Sequence, residues 1–280
     1  MYAPPDDATR ARMAAALAEG ARRLGVMPSG PLSWGWQGCT IGSPAGDRWL
    51  RIDSSTPGGT LRRAPGEGAA GAEQLLPAAV PRPRLHGTAA WVSGGYTYEA
   101  ELSDLVTVPV ISPGRCDLTT DPGLPEHWWT NLRQALGLLA ASEAGMRITV
   151  RDTWAARAFP HYLGIPAPDT IERTTGHGDL QWANITGPPL TLLDWERWGR
   201  VPVGFDAGLL HACSLAVPAV ADRIRSLFDD VLDTEAGRIG ELCALAEMLQ
   251  AVARGWYPEL AEPLTTRAQQ LTGTRPPESP

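Results

Sequence analysis

The stretch His177-Gly178-Asp179-Leu180-Gln181-Trp182-Ala183-Asn184, followed by Leu192-Leu193-Asp194-Trp195, decides how this chain is read. Asn184 lies five positions after Asp179, so one short loop can present a carboxylate and an amide together. Asp194 lies fifteen after Asp179, at the end of an apolar run. That is far enough for the chain to turn and bring a second carboxylate back beside the first. An isolated H-x-D is most often a surface loop or a satisfied core histidine. Two acids and an amide at this spacing, with strand-like sequence between them, form a chemical set.

Composition limits what such a set can serve. At 280 residues the chain has room for one large domain or two lobes, each with a buried core. It is 43% hydrophobic and 20% charged, which is ordinary for a soluble globular protein. The net charge of -7, without a concentrated basic stretch, argues against a nucleic-acid partner. Cys39, Cys116, Cys213 and Cys243 are scattered with no C-x-x-C pair, so they read as small buried apolar residues in a reducing compartment. The start, Met1 to Asp7, carries proline and acid, and no run approaches the ~18 apolar residues of a membrane span. The expectation is a cytoplasmic protein with no membrane partner. There is no lysine, so all 24 basic residues are arginine.

Along the chain, Met13, Leu17 and Leu24 recur at helical spacing, which predicts a helix over Asp7 to Leu24 capped by Asp6 or Asp7. Residues 31 to 53 read as short strands broken at Gly35, Gly38, Gly42 and Gly46, the third being Trp49-Leu50-Arg51-Ile52. Residues 57 to 71 read as a loop, followed by a short helix over Ala72 to Leu76. Two strands, Ala89 to Ser93 and Tyr96 to Leu105, flank a Gly94-Gly95 hairpin turn. After a turn-rich connection over Pro109 to Pro125, helices are expected at Glu126 to Ser142, Ala219 to Leu232, Glu235 to Ala253 and Tyr257 to Leu271, with a disordered tail from Thr274. The layout is α+β, strand-rich first and helical afterwards.

The segments HGDLQWAN, LLDWE and Pro202-Val203-Gly204-Phe205-Asp206 resemble the aminoglycoside phosphotransferase and choline kinase group of small-molecule kinases, most specifically over residues 175 to 210. Within that group the chain looks most like actinobacterial antibiotic-resistance-type phosphotransferases. The resemblance implies a bilobal protein-kinase-like fold, with a β-rich nucleotide-binding lobe over 1–106 and a larger helical catalytic and acceptor-binding lobe over 107–280. It implies that Asp179 is the catalytic aspartate, that Asn184 and Asp194 hold Mg2+, and that His177 and Asp206 support the loop. ATP or GTP would donate its γ-phosphate to a hydroxyl of an antibiotic of aminoglycoside, peptide or nucleoside type. A metabolite acceptor (a sugar, homoserine or choline) and a nucleotide-binding pseudokinase are the alternatives. The protein would act as a monomer or homodimer. Gly178 stands where protein kinases carry an arginine, and only twelve positions separate Asp194 from Asp206, too few for an activation loop. Both departures point to a small-molecule acceptor.

The missing lysine is the largest departure, because in this fold a third-strand lysine bridges the phosphates and pairs with a helix glutamate. Arg51 occupies that strand position and keeps the charge. Its partner would be Glu73, with Glu67 as the other candidate. The glycines from Gly35 to Gly42, Gly38 among them, would form the hairpin over the phosphates. The backbone from Ser103 to Val106, including Leu105, would meet the base edge. Trp182, Glu196 and Trp198 are candidate acceptor contacts.

Overall fold

The computed structural model describes residues 3–56, 58–59, 67–142 and 147–277. The chain divides into two compact units, one of residues 1–65 and 82–107 and the other of 66–81 and 108–280.

The first unit is an antiparallel sheet with one helix on its apolar face. Helix α1 (Asp7–Leu24) starts at Asp6, whose Oδ1 accepts from the Thr9 amide at 2.6 Å, and stops at Gly25 in the left-handed region. The sheet comprises β1 (Ser33–Trp34), β2 (Thr40–Ala45), β3 (Arg48–Ser54), β4 (Leu85–Ser93) and β5 (Tyr96–Asp104), in the order β1-β2-β3-β5-β4. Strand alternation sorts its two faces. Leu50, Ile52, Ala100 and Ile41 are buried against Met13, Leu17 and Ala21 of α1. The opposite face carries Trp49, Arg51 and Asp53, and the register places Arg51 directly opposite Glu101 on β5 and Gly42 on β2. Gly94-Gly95 forms the predicted two-residue turn between β4 and β5. Strand β4 begins four residues earlier than its pattern predicts.

The second unit is helical around one long, tryptophan-rich core. Its helices are α2 (Gly68–Leu75), α3 (Glu126–Ala140), α4 (Asp152–Ala158), α5 (Phe205–Ala212), α6 (Pro218–Leu227), α7 (Asp229–Leu232), α8 (Glu235–Ala253) and α9 (Ala261–Thr272). A small hairpin, β6 (Arg173–Gly176) with β7 (Gly199–Pro202), frames the segment quoted at the outset. Residues 66–81, with α2, lie in this unit although they precede most of it in sequence. Of the predicted loop over 57–71, residues 57 and 60–66 lie outside the described ones, and α2 starts at Gly68. The helix predicted over 219–232 is divided at Phe228, whose buried ring faces the core. Residues 274–277 form no helix or strand, and 278–280 lie outside the described residues.

Helix α3 buries Trp128, Trp129, Leu132, Ala135 and Leu139. Trp128 stacks on Trp182 at 6.1 Å, and Trp129 meets the same ring edge-on at 6.3 Å. Helices α5 and α8 cross closely because a Cβ at Gly208 would meet Glu241 Cα at 2.7 Å. The same crossing holds a buried charge cluster. His211 donates from Nδ1 to Glu241 at 3.0 Å, and Arg267 of α9 adds two donors to the same carboxylate. Burial alone would raise the Glu241 pKa, but these donors outweigh it and pull it to about 2. Among the described residues no helix is long and apolar enough to cross a membrane.

Candidate active site

The loop from His177 to Asn184 is fixed from both ends by buried polar groups. Asp206, in the first turn of α5, accepts from the amide of His177 at 2.6 Å through Oδ2 and from the amide of Gly178 at 2.8 Å through Oδ1. Burial pushes the Asp206 carboxyl above its ordinary value even though both amides favour its charged form. His177 is fully buried, and its Nε2 lies 2.8 Å from the Leu193 carbonyl. A carbonyl only accepts, so Nε2 carries the proton, and Nδ1 is buried with no hydrogen-bond partner among the described residues. The Trp195 indole packs edge-on against the imidazole at 4.8 Å. One imidazole therefore ties the start of the loop to the residue before Asp194.

Gly178 explains itself locally. Its φ is +77°, and an added Cβ would meet the Arg197 carbonyl oxygen at 2.4 Å. An arginine there would be strained and would displace the chain after Asp194.

Within the loop, the Asn184 side-chain NH2 donates to the Asp179 carbonyl at 2.9 Å and to Asp179 Oδ2 at 3.2 Å. The Asn184 main chain accepts from the Leu193 amide at 2.8 Å, and Ile185 pairs with Leu192, so the segment before Asp194 runs back along the loop. Asp194 itself is exposed with φ +61°, a left-handed conformation that aspartate tolerates better than most residues. Burial raises the Asp179 pKa, the Arg197 guanidinium opposes that, and the negative charge of Asp194 adds to it. The charge of Asp194 is thus felt at Asp179.

Asn184 and Asp194 are chemically suited to a divalent cation. With both Asn184 donors used on Asp179, its Oδ1 accepts no hydrogen bond among the described residues, and Asp194 adds an exposed carboxylate. Two hard oxygen donors fit magnesium, which keeps waters and phosphate oxygens in its shell rather than a full protein cage.

Arg197 was not anticipated from the sequence. Its Nη1 lies 3.8 Å from Asp179 Oδ1, while Glu247 of α8 holds the same guanidinium through two hydrogen bonds, at 2.5 and 3.0 Å. The signal available was its position three residues after Asp194; nothing in the sequence points to Glu247.

Two expected acceptor contacts are placed differently. Trp182 and Trp198 are core residues, 0% and 1% exposed, so neither can line an acceptor pocket. Their indole N–H groups are used internally, by Ser214 Oγ at 2.9 Å and by the Gly68 carbonyl at 2.7 Å. Glu196 is half-buried in the turn after Asp194. In the first unit, Arg51 lies between Glu101 at 3.7 Å and Asp53 at 3.8 Å, both on its own sheet. Glu73 sits on α2 in the second unit, and Glu67 lies 3.9 Å from Arg147. Gly38 is buried, and a Cβ there would meet Pro4 Cα at 2.7 Å, so its close approach is to the chain's own N-terminal segment. Ser103 is paired within β5, and the Leu105 amide is used by the Asp47 carbonyl at 3.1 Å. Leu105 cannot donate to a base edge without breaking that bond.

The comparisons with known proteins agree with this architecture. No protein-family model matches the chain, and no curated sequence matches it. Solved structures do. A thermostable mutant of aminoglycoside phosphotransferase APH(4)-Ia, in ternary complex with AMP-PNP and hygromycin B, is similar with a TM-score of 0.55 at 14% identity, over 92% of this chain and 99% of that one. Choline kinase LicA from Streptococcus pneumoniae is similar with a TM-score of 0.53 at 12% identity, over 94% and 100%. Amicoumacin kinase hAmiN, in complex with AMP-PNP, Ca2+ and Ami, gives 0.50 at 9% identity, over 90% and 88%. The chain has the bilobal α+β fold of kinase-like phosphotransferases, with a β-sheet N-terminal region and a helical C-terminal region.

The loop geometry predicts the effect of Asp206→Ala. Two buried amides lose their acceptor, so the variant is expected to be less stable by about 3 kcal/mol. Denaturant unfolding measures this, and amide exchange at His177 and Gly178 should accelerate well beyond that of α8. Unchanged protection at these two amides would show that the loop is held by something else.

Proposed function

We propose that this protein is a small-molecule O-phosphotransferase of the aminoglycoside phosphotransferase and choline kinase group. It moves the γ-phosphate of ATP or GTP onto a hydroxyl, and an antibiotic is the acceptor class we favour. The observation that supports the reading is that two buried groups, His177 and Asp206, tie together the segments carrying Asp179, Asn184 and Asp194. Similar structures hold AMP-PNP with hygromycin B, or AMP-PNP with Ca2+ and Ami in amicoumacin kinase hAmiN, which supports the nucleotide and the acceptor class.

In this mechanism Asp179 orients the acceptor hydroxyl and takes its proton as the oxygen attacks phosphorus. Asn184 fixes the Asp179 carboxylate through its side-chain NH2. Asn184 and Asp194 would hold Mg2+, which supplies neutralisation of charge on the phosphate oxygens. Arg197 favours the ionised form of Asp179, which burial would otherwise protonate. Arg51 is the cation we assign to the phosphates in place of lysine. That role competes with Glu101 and Asp53, whose charges already flank it. The same pair of acids is what favours the pseudokinase alternative, since they neutralise the substitute cation.

Two experiments test this reading. Asp179→Asn is expected to lower turnover on the order of 10²–10⁴-fold while nucleotide affinity persists, because Asp179 acts on the acceptor. Titration calorimetry with Mg-nucleotide beside a coupled assay of nucleoside diphosphate release reads both, and near-normal turnover would remove Asp179 from the role. Arg197→Gln tests the electrostatics. Without its cation, the largest opposition to burial and Asp194 is gone and the Asp179 pKa rises further, so the acid limb of the kcat/KM profile moves to higher pH. An unmoved limb, or one displaced to lower pH, would contradict the assignment.

A further inference from the structure

Beside the catalytic loop the second unit opens a cavity of about 340 Å³. Its walls include Thr149, Trp154, Arg197, Glu247, Gln250 and Arg254. Three features tie it to the reacting centre. Arg197 is shared between the cavity wall and Asp179, 3.8 Å away. Thr149 Oγ1 donates to the Arg197 carbonyl, the same oxygen that Gly178 packs against. The volume falls within the range of small-molecule sites.

The charges on this wall are informative. Glu247 is the one carboxylate among the described lining residues, and both of its oxygens are bound by Arg197. The remaining charged group is Arg254, exposed at the C-cap of α8, which makes no ion pair among the described residues. Gln250, a turn earlier on α8, adds an uncharged donor and acceptor, and Trp154 a flat half-buried surface. A polycationic acceptor needs unpaired carboxylates at its amines, and the described residues of this wall offer none. A guanidinium without a partner matches a carboxylate or another oxyanion, which it can bind through a two-pronged contact.

We infer that this cavity is the acceptor subsite and that it selects a hydroxylated small molecule carrying an anionic group, held by Arg254, over a polycation. The inference rests on the phosphotransferase reading for its chemistry. The acceptor O–H gives its proton to Asp179 as a new P–O bond forms. The bond between the γ-phosphorus and the bridging oxygen breaks, and the nucleoside diphosphate leaves with that electron pair. The anionic group takes no part in the transfer; it places the hydroxyl.

A matched trio of hexoses isolates charge from shape: D-glucuronate, D-glucose and D-glucosamine. Titration calorimetry of the whole chain with each probe is expected to rank glucuronate tightest, roughly tenfold over glucose, the scale of one partly exposed charge-assisted contact. Arg254→Gln should bring glucuronate level with glucose, and Arg254→Glu should place glucosamine first. An arginine that only complements the end of α8 would change the melting temperature of these variants without reordering the probes. The subsite is overturned if glucosamine binds tightest to the wild type, if the order is the same in all three proteins, or if no probe gives a saturable heat. Measuring nucleoside diphosphate release in parallel separates the two ideas. Binding in the expected order with no transfer to any acceptor removes the phosphotransferase reading and leaves the subsite standing. Transfer with a preference for glucosamine does the reverse.

Discussion

The site depends on one carboxylate that touches no ligand in the proposed mechanism. Asp206 reaches from the first turn of α5 to accept from two successive amides of the loop that carries Asp179. Buried amides without acceptors are costly, so the loop has one favourable backbone path, and that path determines where the Asp179 carboxylate sits. His177 extends the constraint to the Leu193 carbonyl and hence to Asp194. Removing charge from water to do this is itself unfavourable, as the upward push of burial on Asp206 records. The arrangement makes sense where loop geometry matters more than stability.

Much of this was legible in the sequence, for reasons that differ between elements. Helix α1 declares itself through Met13, Leu17 and an aspartate cap, all local signals. Helix α8 has almost no polar face and contains Gly237 and Gly240, yet its Thr234 cap and its Leu-, Ala- and Glu-rich sequence fix both ends as read. The joining of Asp179 to Asn184 was legible because the two sit close together in sequence. What was missed depends on contacts between distant positions. Cross-strand register sets Glu101 beside Arg51, and strand alternation sets Asp53 on the same face, neither of which the sequence pattern had indicated. Trp182 and Trp198 lie beside the catalytic segments in sequence, yet their rings point into the core, because a loop that presents one side chain outward must turn its neighbours inward. The partnership of Arg197 with Glu247 spans 50 positions and has no local trace. Helix α4, an alanine-rich segment opening on Asp152, had a readable composition and was overlooked.

The departures from a lysine-bearing kinase form a consistent pattern of arginine chemistry. Every cation in the chain is a guanidinium, always charged and shaped for two-pronged contacts. Arg267 uses that shape to hold Glu241, Arg115 to hold Asp117, and Arg197 to hold Glu247. Beside Asp179 the neighbouring cation, Arg197, is itself anchored by Glu247. In the sheet, Arg51 lies within ion-pair distance of two acids, Glu101 at 3.7 Å and Asp53 at 3.8 Å.

The account stands or falls on whether Asp194 and Asn184 meet at one divalent cation on a nucleotide. Anomalous diffraction from crystals grown with Mn2+ and AMP-PNP measures this directly, since manganese takes the same oxygen ligands as magnesium and is located independently of the phases of the protein. The account predicts an anomalous peak bonded to the Asp194 carboxylate and to Asn184 Oδ1, with phosphate oxygens completing the shell. An ordered nucleotide whose manganese touches neither residue would contradict it.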